Sequence, residues 1–232
     1  RRPFPPEGSG TARPHPRAGP HLLHPEGSEM DDHMNTMPSV FEVGARARDF
    51  LATLQNWPEF ARLEASTLAY PDCWGTYTGY TTIARFDLAK DARPLWLEAQ
   101  RVMAMKTAVY EITGQDEQAA ELVVPAPVDE MVHALLAQHN LARKFETETG
   151  LDLVHMTDRE RFGWEPGDYT HQVYVAAWGA EPPERYWIPK DEAARRHRIL
   201  DMLLSSIGIT DLGRRHHIGF TPEQETVAAA AV

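Results

Sequence analysis

Asp129 and His133 stand four residues apart in the segment Pro125-Ala126-Pro127-Val128-Asp129-Glu130-Met131-Val132-His133, and His155 follows beyond Gly150. Side chains at i and i+4 lie on one face of a helix, so this carboxylate and imidazole converge on one ion or one proton. Three chemistries suit the pair. In the first, Asp129 and His133 make an ordinary helical contact, with Asp129 favoured by the helix dipole near the N-terminus. In the second, both ligate a divalent metal with His155 as the third ligand; two imidazoles and a carboxylate are a donor set used by zinc hydrolases and non-haem iron enzymes. In the third, Asp129 orients His133 as a general base without metal. His171 is a candidate fourth ligand, and its alternative is a polar residue in a first helical turn. Spacing alone leaves these readings open.

The chain that must position these residues reads as mostly α. From Pro38, Val40, Phe41, Val43, Ala47, Phe50 and Leu51 recur at helical spacing. Trp57-Pro58 stops that helix and starts a second one reaching Leu68. An aromatic loop is expected over residues 70–80, then a helix from Asp91 to Ile112 with Pro94 in its first turn, where proline is tolerated. One helix is expected from about Pro127 to Thr147, ended by Gly150. On it Val128, Met131, Val132, Leu135, Leu136 and Ala142 form an apolar arc. Asp129, His133 and Asn140 share the flank of that arc, and His139 falls near its middle as a hydrogen-bonded core residue. Further helices over Tyr169–Trp178 and from Lys190 to about Ser206 complete a single compact multi-helix domain spanning residues 38–212. Residues 1–37 carry Pro3, Pro5, Pro6, Pro14 and Pro16 among Gly, Ser, His and Arg. With so little to bury they are expected to form a disordered tail, whose His15, His21, His24 and His33 would bind metal only adventitiously. Residues 213–232 are expected to be a C-terminal tail.

Composition removes several functions. The net charge of −11 opposes binding to nucleic acid, which calls for a basic face. The clusters Arg195-Arg196-His197-Arg198 and Arg214-Arg215-His216-His217 are short and read as solvated surface. The apolar runs are too short for a membrane span. Cys73 is the only cysteine among 232 residues, so no intrachain disulfide forms; that fits a reducing compartment, with the cytoplasm as the expected location. As a nucleophile Cys73 lacks a neighbouring base. Ser205-Ser206 lacks a hydrolase elbow, and the chain has no phosphate loop or dinucleotide fingerprint.

Two blocks resemble a known family. Val128-Asp129-Glu130-Met131-Val132-His133, followed by an aliphatic helix, Phe145, Gly150 and His155, is similar to the glycine-rich-domain-containing-protein-like family. Its members carry a proline-led Val-Asp-x-x-Trp-His motif and a later histidine. Tyr169-Thr170-His171-Gln172-Val173-Tyr174, Trp178-Gly179 and the run from Pro182-Pro183 to Trp187 resemble its second block. Together the blocks lie between Pro125 and Pro189. Val132 stands where the family has Trp, Ala142 where it has Tyr, Glu146 where it has Cys, and Met156 where it has a second His. The resemblance implies a mainly helical domain and a functional Asp129/His133/His155 constellation, without naming a reaction. The expectation is a helical protein holding zinc or iron, open to a small-molecule substrate. The alternative is a helical interaction module in which the same residues form a structural hydrogen-bond network.

Overall fold

The central element is a helix surrounded on all sides. The computed structural model describes residues 37–70, 86–156 and 163–208. The tails expected at 1–37 and 213–232, the aromatic loop and Cys73 lie outside them, apart from Met37 and Tyr70. Among the described residues there are eight helices and no strand: α1 Val40–Gln55, α2 Phe60–Leu68, α3 Leu88–Ile112, α4 Glu117–Ala120, α5 Ala126–Leu136, α6 His139–Thr149, α7 Tyr169–Trp178 and α8 Lys190–Ser205. The mostly α expectation holds. All of these helices fall in one unit spanning Asn35–Val232, and none is long and apolar enough to cross a membrane.

From Leu95 to Val109, α3 is buried at almost every position, the state of a helix whose neighbours cover its whole circumference. It packs against α1, α4 and α5, and more lightly against α2 and α7. Polar groups buried along it need partners, and together they tie down several neighbours. Asp91 receives Arg185 and Tyr186. Glu98 receives Trp187 Nε1 at 2.8 Å. Gln100 meets Gln55 of α1. Thr107 donates to the Asp152 carbonyl at 2.6 Å.

α1 buries Val43, Ala47, Phe50 and Leu54 on one stripe and packs against both α3 and α7. Gly44 is what lets α7 approach: a β-carbon there would lie 2.9 Å from Ala177 N and 3.0 Å from Ala176 C. One turn on, Arg48 donates to the Ala176 and Ala177 carbonyls, satisfying the end of α7.

The single turn α4 was not expected, and two longer helices also differ from expectation. α3 begins at Leu88 because Asp87 caps it, accepting from Ala89 N. Pro94 therefore lies inside the helix, beyond its first turn. The single helix expected from Pro127 to Thr147 is two, α5 and α6, because Gln138 leaves helical geometry at ψ 46°. No glycine or proline marks that break. It removes Asn140 from the flank of Asp129 and His133, and leaves both His139 and Asn140 exposed rather than His139 in the core.

Candidate metal centre

The short α4, the helix α5 and the segment that follows α6 bring the site together. α4 is a single turn capped by Asp116, and it delivers Glu121 into the core. The chain then runs extended to Pro125, the N-cap of α5, with Pro127 in the first turn of that helix. α5 carries Asp129 in its first turn and His133 in its last. After α6, Gly150 adopts a left-handed φ of 71° and reverses the chain. Segment 151–156 runs back toward α3, pinned by Thr107 to the Asp152 carbonyl, by Leu153 N to Glu146, and by Met156 N to Glu121. Those pins place His155.

Asp129, His133 and His155 each offer one ligand atom, and the three atoms lie within 4.8 Å of one another. The two imidazoles meet through their Nε2 atoms at 2.7 Å. Asp129 Oδ2 lies 3.6 Å from His133 Nε2, and Glu130 Oε1 lies 3.8 Å from His133 Nδ1. Asp129 is buried and the His155 side chain is fully so, whereas the His133 side chain is 23% exposed. The site is therefore anchored from within and open on the His133 side.

Behind His155 sit two charges that spacing did not announce. Lys106 of α3 and Glu121 are both buried and pair at 2.7 Å. Lys106 Nζ also lies 2.8 Å from His155 Nδ1. An ammonium has donors and no acceptor, so His155 Nδ1 accepts and its ring hydrogen sits on Nε2. That Nε2–H donates to His133 Nε2, which leaves the hydrogen of His133 on Nδ1, facing Glu130. These tautomers are assigned from the hydrogen-bond geometry. One lysine fixes both. A signal for it exists in the sequence: Lys106 interrupts the apolar run Val102-Met103-Ala104-Met105 and Ala108-Val109 at a position that must face the core.

His171 does not join the three. Gly167 N donates to its Nδ1 at 2.8 Å, and its Nε2 lies 2.6 Å from Glu181. A cavity of about 350 Å³ borders segment 152–156, with Tyr110 and Glu117 opposite. The Tyr110 hydroxyl is held above its ordinary pKa by burial first, then by the charges of Asp152 and Glu117. Because the His155 imidazole is buried, this cavity meets its main chain and not its ring.

No family model, curated protein or solved structure matches the chain.

Proposed function

We propose that this protein binds one divalent metal ion through Asp129, His133 and His155. The observation that carries the reading is the convergence of two imidazole Nε2 atoms and a buried carboxylate oxygen on one point. Admitting an ion about 2.0–2.1 Å from each nitrogen at a tetrahedral angle asks the 2.7 Å contact to widen by roughly 0.6 Å. His133, partly exposed near the end of α5, supplies that movement while His155 stays fixed. The ion would take the place of the hydrogen on His155 Nε2, whose proton is released to solvent; His155 then stays a neutral ligand by taking a proton at Nδ1 from Lys106 Nζ, 2.8 Å away, which leaves Lys106 a neutral amine. Three protein ligands leave positions for water or a small substrate. Zinc there would activate water for hydrolysis, and iron(II) would serve oxidation. Kinship with the glycine-rich-domain-containing-protein-like family is part of this proposal and rests on the two motif blocks.

A second reading has its own support in the Lys106–His155 contact. In it the chain from Glu121 through Lys106, His155 and His133 is a structural network locking α3, α5 and segment 151–156 together. Asp129→Asn and His133→Ala separate the two. The metal reading expects loss of zinc or iron(II) binding with the midpoint of urea unfolding nearly unchanged. The structural reading expects a loss of about 1–3 kcal/mol from the broken buried network and no metal bound by the parent.

A further inference from the structure

Of the three groups that converge, His133 is the least enclosed. Asp129 is buried, and the His155 side chain is fully so with Lys106 behind it. The His133 ring sits near the end of α5 and is the ligand that shifts as an ion enters. Ordering a partly exposed side chain costs affinity at the moment of binding. What stands at its other nitrogen therefore bears on how well it serves.

That nitrogen faces a carboxylate. Glu130 precedes His133 by three residues, a spacing that puts both on one helical face. Its Oε1 lies 3.8 Å from His133 Nδ1, and its side chain is 18% exposed. The separation is longer than a hydrogen bond, and a rotation of this long side chain can close it to about 2.8 Å. The hydrogen positions favour that closure. His133 Nε2 accepts from His155 and so turns a lone pair toward the centre, while its Nδ1 carries a hydrogen toward Glu130. His133 thus already has the form a ligand needs, and no proton has to leave it when an ion arrives. A ligating imidazole ordinarily donates its other N–H to a carboxylate, carbonyl or water, which fixes the ring and raises its basicity.

We propose that Glu130 is a positioning residue of the metal centre. Its carboxylate accepts the Nδ1–H of His133, orients the ring and strengthens it as a ligand, without touching the ion itself. This inference rests on the metal reading of Asp129, His133 and His155.

The test uses the full chain, first stripped of metal with a chelator. Zinc affinity is read by competition with a chromophoric chelator, and ligand geometry by the visible d–d bands of cobalt(II)-loaded protein. Parent, Glu130→Ala and Glu130→Gln are compared, with the urea midpoint of each as the check on folding. The expected result is a zinc dissociation constant raised about 10–100-fold in Glu130→Ala. Glu130→Gln, whose amide oxygen can still accept, gives a smaller rise. The cobalt bands are displaced in Glu130→Ala and return toward the parent's in Glu130→Gln. Folding midpoints stay close together, as for other partly exposed pairs on one helix. Equal zinc affinity in all three proteins overturns the proposal and leaves the metal reading standing. Weaker zinc binding with unchanged cobalt bands also overturns it, and makes Glu130 a nearby charge that acts on the ion directly. A parent that binds neither zinc nor cobalt(II) overturns both the proposal and the reading beneath it.

Discussion

At the scale of single residues, the site is a contest between neighbours far apart in the chain. Asp129, His133 and His155 were legible because an Asp-x-x-x-His on a proline-led helix has fixed geometry and a histidine follows the glycine stop. Lys106 and Glu121 were not, because pairing across 15 residues and contact with His155 across 49 depend on how α3, α4 and segment 151–156 fold back. Lys106→Met leaves the Glu121 carboxylate buried without its cation, and we expect a loss of about 3–5 kcal/mol in urea unfolding. Adding Glu121→Gln to it recovers part of that loss, since the amide keeps an acceptor for Met156 N and carries no charge. A double variant no more stable than the single one would contradict a charge-based account. His171→Ala leaves metal stoichiometry unchanged, because His171 is engaged with Glu181 and Gly167. A drop in bound metal for that variant would place His171 at the centre after all.

At the scale of elements, periodicity located most helices, and local chemistry shifted their ends. The Asp87 cap extends α3 back to Leu88, a signal carried by one side chain and weaker than the apolar pattern that begins later. The break at Gln138 has no glycine or proline to announce it; beyond it α6 packs Phe145 against Phe50 and Trp57, contacts that a one-dimensional pattern does not contain. Gly44 shows the same limit, since its lack of a side chain matters only once α7 lies against it. Gly44→Ala gains up to about 1 kcal/mol of helix propensity and meets backbone atoms at 2.9–3.0 Å, a form of overpacking that costs about 1–3 kcal/mol. The expected net effect is a lower melting temperature. An unchanged or raised one would mean that α1 and α7 are free to separate.

At the scale of the whole molecule, the design is an apolar bundle keyed by polar groups along α3, from Asp91 near one end to Thr107 near the other. The Asp91 key has a pH signature. Hydrogen bonding to Arg185 holds its carboxyl well below the usual carboxylate range, helped by Asp87 N and Tyr186 against the opposing effect of burial. A carboxylate with a depressed folded pKa contributes stability fully above its unfolded pKa, about 3.9, and loses it as pH falls toward the folded value. The stability difference between the parent and Asp91→Asn should therefore be full at pH 7 and shrink at pH 3, as read from urea unfolding. A difference that grows on acidification would reverse the sign of this linkage. The central claim, a metal held where α5 and segment 151–156 meet, is tested most directly by elemental analysis. The parent would be compared with the His133→Ala/His155→Ala variant, each loaded with zinc or iron(II) and then desalted. The account predicts one more equivalent of metal per chain in the parent than in a still-folded variant. Equal metal in both would contradict it and leave the three residues as a hydrogen-bonded joint.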